Sequence, residues 1–285
     1  MKKTITLLAS CLLVASSLMA QDPAPESSAK VRFGLRAGLQ PSWLGTEEKS
    51  NIPSGAKLGY GFGLNIEFRI TESAAFLTGI GADFESARYK FKNEIGQNYE
   101  AMYWMNSGNE FVKANEANRN EPTNTAYVLK ERTLKTTFVT IPIMLKLSTK
   151  EIAGIRYSGL FGGDIGFRAK ATANDTYLEG RKYSAVVAGD YTVVPVEDQT
   201  GLNVKDEMSK LPARMSFNAG IGGEYKLSGN TAVFVNINYT MGLSNLMKKE
   251  SEYTIYKTEP GANNSTPIKQ NLKYRGIRIT LGIMF

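Results

Sequence analysis

Residues 58–70 read LGYGFGLNIEFRI. Side chains alternate across a β-strand with period two. Leu58, Tyr60, Phe62, Leu64, Ile66, Phe68 and Ile70 therefore share one face, and Gly59, Gly61, Gly63, Asn65, Glu67 and Arg69 the other. The alternation holds for 13 residues. That exceeds the usual strand of ~5–6 residues and suits a tilted membrane-spanning strand, which needs ~9–11. A soluble sandwich or ligand-carrying barrel shows the same period with its apolar face inward, so the polar face has to separate the two. Three glycines on a solvent-facing surface would weaken a strand, because they lose much chain entropy and pack nothing. Inside a narrow barrel they leave room for Arg and Glu side chains reaching from neighbouring strands. The apolar face is expected to meet lipid.

The same period recurs along the chain and marks eight strands: 31–39, 58–70, 74–84, 135–147, 155–167, 215–227, 232–241 and 272–285. Connections 71–73, 148–154 and 228–231 are short, whereas 40–57, 85–134, 168–214 and 242–271 are long. Short turns on one side and long loops on the other are the plan of a bacterial outer-membrane barrel. The expected fold is all-β: an eight-stranded antiparallel transmembrane β-barrel with long extracellular loops and short periplasmic turns. Threaded this way, Phe68, Phe76, Tyr157, Tyr225 and Phe285 fall near the short-turn end of the lipid face. Tyr60, Phe84, Phe167, Phe217 and Tyr239 fall near the long-loop end. Two such girdles are expected where aromatic rings settle at the membrane interfaces.

The chain opens with Lys2 and Lys3, then an apolar run from Ile5 to Met19 and Ala20. This reads as a secretory signal peptide over 1–20. A Pro- and Ser-containing periplasmic tail over 21–30 and a barrel over 31–285 come after it. Acylation of Cys11, within LASC, is the weaker alternative, because it would leave Leu12 to Met19 on the mature chain. Cys11 is the only cysteine, and the sequence has no histidine. Thiol chemistry, disulfides, Ser-His-Asp triads and His-metal sites are thereby excluded from the mature chain. No cofactor and no enzymatic activity are expected. The last strand alternates to a terminal Phe285, which resembles the assembly signal of outer-membrane barrels.

The full chain carries +7, and removing Lys2 and Lys3 leaves 32 basic against 27 acidic residues, or +5. Much of the excess lies on inward strand faces, at Arg32, Arg36, Arg156, Arg168 and Arg278. Nucleic acid is not the implied partner, since no basic stripe with interleaved aromatics appears. These arginines, with Arg69, are expected to form a lumen charge network with Glu67, Asp83, Asp164 and Glu224, because buried charges must be paired. An eight-stranded barrel is just wide enough for side chains to fill, so an ionic core is favoured over an ion pathway. The strand at 135–147 fits worst. It places Phe138, Pro142 and Met144 in the lumen, and a lumen plug and a slipped register both remain open. In the loops, Tyr103 and Trp104 are candidate anchors for an envelope or extracellular protein partner. The competing reading has the same rings packing the loop onto itself. Outer-membrane lipid is the other expected partner.

Several short stretches carry a family resemblance. FGLRAGLQPS at 33–42, FVTIPIMLKL at 138–147, YTMGLSNL at 239–246 and the terminal GIMF resemble segments of the small Bacteroidetes-type outer-membrane β-barrels, which include PorT-like proteins. Thr140 stands where a carboxylate is frequent in that family, and the second and third long connections are longer than in PorT-like members. The resemblance implies an outer-membrane barrel and, for PorT-like members, a link to type IX secretion.

Overall fold

The structure is a computed structural model that describes residues 30–46, 51–92, 100–184, 190–211, 213–257 and 265–285. The expected signal peptide and all of the tail but Lys30 lie outside the described residues. In chain order the strands are β1 (Val31–Thr46), β2 (Asn51–Arg69), β3 (Ala74–Phe91), β4 (Glu100–Met105), β5 (Phe111–Val112), β6 (Thr125–Ser148) and β7 (Ile155–Tyr183). They continue with β8 (Tyr191–Val194), β9 (Gln199–Asn203), β10 (Ala213–Ser228), β11 (Thr231–Asn245), β12 (Glu250–Lys257), β13 (Ser265–Lys269) and β14 (Leu272–Met284).

Eight of these strands form a closed antiparallel ring. β1 pairs with β2, β2 with β3, β3 with β6, β6 with β7, β7 with β10, β10 with β11, β11 with β14, and β14 with β1. Closure removes the open strand edges of the ring, which would otherwise recruit other chains. Each ring strand covers one of the eight stretches read from the sequence, short only of Ile70 on β2 and Phe285 on β14.

The opening strand shows why the glycines are there. Phe62 and Leu64 are 55% and 51% exposed on the outer wall, whereas Asn65 and Glu67 are buried. A Cβ on Gly81 of β3 would lie 2.6 Å from Arg36 Nη2, and one on Gly61 would meet the Asp83 carboxylate. The missing side chains are the volume that the lumen charges occupy. Outward-facing Tyr60, Phe167, Phe217 and Tyr239 bound one end of the apolar band, and Phe68, Tyr157 and Tyr225 the other. Tyr60 stacks on Phe84 with ring centroids 4.7 Å apart, and Phe68 lies 6.3 Å from Phe76.

Pro142 causes no slip. β6 and β3 keep one register from Leu77↔Met144 through Gly81↔Thr140, with no paired residues between those two positions. Proline lacks the N–H a ladder needs, so the pairing lapses locally while the phase is preserved. The β6–β7 ladder runs through Pro142↔Asp164. Phe138, Pro142 and Met144 fill the lumen, which decides between the two open readings.

The long connections are long as expected, and they have a structure of their own. They are mostly strand rather than loop: β6 runs for 24 residues and β7 for 29, more than twice what the membrane requires. Above the upper girdle the pattern inverts. On β6, Ile143, Ile141 and Val139 face outward in the membrane, but Lys135, Thr133 and Glu131 do so beyond it. The inward positions change from Lys146 and Thr140 to Phe138 and Leu134. β4, β5, β8, β9, β12 and β13 add to this extension. Its interior holds an apolar cluster that includes Leu44, Tyr89, Tyr103, Leu129, Leu134, Met208 and Leu272. The result is a membrane barrel filled with charge beneath an extracellular cap filled with apolar side chains.

Candidate functional site

Nearest the periplasmic turns, a first deck of charges crosses the lumen. Arg32 Nη1 donates to Glu67 at 3.2 Å and to Glu224 at 2.7 Å. Lys146 Nζ donates to the same two carboxylates at 2.8 and 2.7 Å. Arg69, at the mouth, lies 3.7 Å from Glu67. Two cations and two anions thus form a closed square drawn from β1, β2, β6 and β10. Such a group is stable only when each charge is met, because an unpaired buried charge costs several kcal/mol (about 3–5).

A second deck lies nearer the cap. Arg278 Nη2 donates to Asp83 at 3.0 Å and its Nε to Gln40 at 3.0 Å. Arg214 bonds Glu85 and reaches Asp164 at 3.1 Å. Asn218 donates to Asp164 at 2.7 Å, and Thr140 donates to Asp83 at 2.9 Å. Arg214 is sandwiched by two rings, its guanidinium carbon 4.7 Å from the centroid of Phe138 and 4.9 Å from that of Tyr274. A cation held between aromatic faces in this way gains from both ring quadrupoles.

The expected network therefore divides. Arg32, Glu67, Asp83, Asp164, Glu224 and Arg278 are brought together in the two decks, with Arg69 at their edge. Arg36 lies between the decks with its Nε and Nη2 buried and without a hydrogen-bond partner among the described residues. Arg156 faces Glu224 in register at the periplasmic mouth, half-buried. Arg168 sits at a bulge, where Thr137 pairs with Lys170 and Phe138 with Arg168, and it donates to the Ser209 carbonyl at 3.2 Å. Sequence reading missed Lys146, Glu85 and Arg214. Lys146 shares the parity of Phe138 and Met144, which was a usable signal. Glu85 and Arg214 lie one residue outside the expected strand limits.

The decks leave little space. A cavity of ≈ 30 Å³ lined by Arg36, Asn65, Met144, Asn218 and Asn238, among others, separates them. That is room for about one water. Two smaller cavities of ≈ 10 Å³ lie beside Asp83 and beside Glu67.

In the cap, a buried polar hub lies within the apolar core. Arg132 of β6 donates to Asp175 of β7 through Nε at 2.8 Å and Nη2 at 2.7 Å, with both side chains fully buried. Its Nη1 lies 4.0 Å from Glu207, which Ser251 and Gln270 also contact. Tyr103 donates to Asp175 at 3.1 Å and bonds Tyr177. Burial pushes the Tyr89 hydroxyl up to about 12 and holds Tyr103 well above the ordinary tyrosine range. Burial alone would lower Arg132, but Asp175 overrides it and keeps the guanidinium well above its usual value.

This placement corrects the expectation for Tyr103 and Trp104. As partner anchors they would need open faces, yet they are 0% and 2% exposed. Tyr103 stacks on Tyr127, with centroids 5.8 Å apart, and Trp104 packs with Met102, Val128 and Ile255. Flanking apolar residues at Ala101, Met102 and Met105 put both rings in a strand with two covered faces. Phe285 closes the ring, its N–H donating to the Phe33 carbonyl at 2.7 Å.

Among solved structures, Neisserial surface protein A is similar at 9% identity, with 89% of this chain and 97% of that one covered and a TM-score of 0.35. OprG from Pseudomonas aeruginosa aligns at 10% identity over 89% and 95%, with a TM-score of 0.38. The outer membrane protease OmpT from Escherichia coli aligns at 10% identity over 90% and 95%, with a TM-score of 0.32. No curated protein matches the sequence. The closed ring, its apolar outer band and its paired lumen charges are what a bilayer demands of a chain that crosses it in strands. The family model described as outer membrane protein beta-barrel domain matches residues 19–248, and the chain belongs to that family, in the bacterial outer membrane.

Proposed function

We propose that this protein is a non-enzymatic barrel that anchors and displays its rigid extracellular cap for contact with an envelope or extracellular protein, and that it conducts no solute. One observation carries this reading: the lumen is crossed by two paired-charge decks and covered by a packed apolar core. A conducting pore needs a continuous wet path, whereas the cavity between these decks holds about one water and the two beside them are smaller still. Planar-bilayer recording of the purified barrel tests it. No discrete conductance is expected; stable single-channel steps that change with Arg69→Ala or Asp83→Ala would overturn it.

The contact surface shifts away from Tyr103 and Trp104. β8 ends the sheet order, and on it Tyr191 and Val193 are 38% and 60% exposed. Strand edges of this kind pair with other chains. A photocrosslinker placed at Val193 in intact cells is expected to give a discrete adduct that one placed at Trp104 does not. A PorT-like role in secretion rests on the sequence resemblance alone and would use the periplasmic turns. The signal peptide is proposed to be cut after Ala20, so the mature protein should begin at Gln21 on N-terminal sequencing. Phe285 is proposed as the assembly signal, and Phe285→Ala should lower the yield of heat-modifiable barrel.

A further inference from the structure

The outer wall just above the upper girdle carries most of its cations on one side. Past Phe84, the outward positions of β3 are Ser86, Arg88 and Lys90; past Val139, those of β6 are Thr137, Lys135, Thr133 and Glu131. On β7 Ala169 and Lys170 are both exposed beyond Phe167, because the bulge at Arg168 shifts the phase and pairs Lys170 with outward Thr137. The ladders fix who neighbours whom. Ser86 pairs with Lys135 and Arg88 with Thr133, while Lys135 pairs with Thr172 and Thr137 with Lys170. Lys135 is thus diagonal to Arg88 on one side and to Lys170 on the other, at the ~7–8 Å spacing of diagonal neighbours in a sheet.

Four cations face one anion here. Arg88 is held in place by its Nε bond to the Ser54 carbonyl at 2.9 Å and by Glu131 at 3.3 Å. Lys90, Lys135 and Lys170 are exposed. Across the barrel the wall is more apolar, with Met215, Met241 and Leu243 50%, 37% and 55% exposed and Arg275 and Lys273 the basic residues among them. The β3–β6–β7 wall thus holds four cations on three adjacent strands, against two on β14. Outward positions rise ~6.8 Å per step along a strand tilted by ~40°, so Lys170 and Lys135 stand ~5–10 Å above the girdle. That is the level of lipid headgroups.

We infer that the β3–β6–β7 wall is a binding site for a phosphorylated glycolipid of the outer leaflet, its acyl chains against Phe84, Val139 and Phe167 and its phosphates between Arg88, Lys135 and Lys170. Cations at headgroup height attract anionic lipid, and three set in a row, each one diagonal step from the next, select a headgroup carrying more than one phosphate.

The test uses the full barrel, refolded into phosphatidylcholine vesicles containing diphosphoryl lipid A and extracted for native mass spectrometry. The expected result is one retained lipid A, lost about thirtyfold in Lys135→Gln/Lys170→Gln and further in Lys135→Glu/Lys170→Glu. Lys150→Glu in a periplasmic turn should retain it fully. Heat-modifiable migration verifies that each variant is folded, and the neutral pair serves if the charge-reversed one is not. Equal retention by wild type and the neutral pair would overturn the site. So would equal retention of dephosphorylated lipid A, or displacement by an equimolar amount of phosphatidylglycerol, since either would mean general adhesion to the wall.

Discussion

At the scale of single residues, glycine decides the lumen. A Cβ on Gly63 would lie 2.6 Å from the Cα of Gly81, backbone against backbone, with no side chain able to give way. Gly159, outward on β7, has nothing within 4 Å of an added Cβ. Gly63→Ala is therefore expected to destabilise the barrel by about 1–3 kcal/mol, the usual cost of overpacking. Gly159→Ala should be neutral or slightly stabilising, because it restricts the unfolded chain. Urea unfolding in micelles, followed by tryptophan emission, checks the pair, and equal effects would contradict the account. This logic was legible in the sequence, since glycines alternating with Tyr, Phe and Leu have few other uses. The burial of Tyr103 and Trp104 was not. Aromatic residues between charged segments look alike whether they face a partner or a core, and only the strands stacked over them distinguish the two.

At the scale of elements, the cap was hidden by its own regularity. β3, β6 and β7 continue to alternate above the membrane, but the apolar residues change face near Phe138, so a search for one unbroken lipid-facing stripe stops there. On the cap side of Phe138 the chain resembles a polar loop although it is strand. The eight membrane segments could be read because lipid imposes a single rule on each of them. The cap obeys pairings such as β4 with β6 and β12 with β4 that no local pattern encodes. Its hub gives two expectations. Arg132→Met leaves Asp175 buried without its cation, at a cost of about 3–5 kcal/mol. The cap should then become sensitive to protease added to intact cells, while the barrel still migrates as a heat-modifiable band. The buried tyrosines set an alkaline limit. A hydroxyl whose folded value is raised contributes stability that is complete below the unfolded value of ~10 and is lost as pH rises through the folded one, about 12 for Tyr89. Protease sensitivity of the cap should therefore appear between pH 10 and 12, and Tyr89→Phe should move its onset upward. Onset below pH 9 would point to a different group.

For the whole molecule, the question is whether cap and barrel are one cooperative unit or two. The ring closes entirely through pairs within the membrane segments, from Ala74↔Leu147 at one seam to Gly34↔Met284 at another. Both charge decks lie largely below the point where the pattern inverts. Only Arg214, Glu85 and Tyr274 stand at the boundary, tying the second deck to Phe138 and so to the base of the cap. This arrangement makes the barrel a self-sufficient anchor and the cap a dependent structure, because the cap's strands take their spacing from the ring below. Replacing residues 88–131 and 171–212 with short turns should then leave a folded, heat-modifiable barrel in the outer membrane. The trimmed barrel should also remain closed in bilayer recordings. The Arg32–Glu67–Lys146–Glu224 square and the Arg278–Asp83 pair draw on β1, β2, β3, β6, β10 and β14, all of which survive the cut. Discrete conductance on trimming alone would show that the cap, rather than the paired charges, seals the lumen. Loss of the folded band would show that the ring needs the cap in order to close.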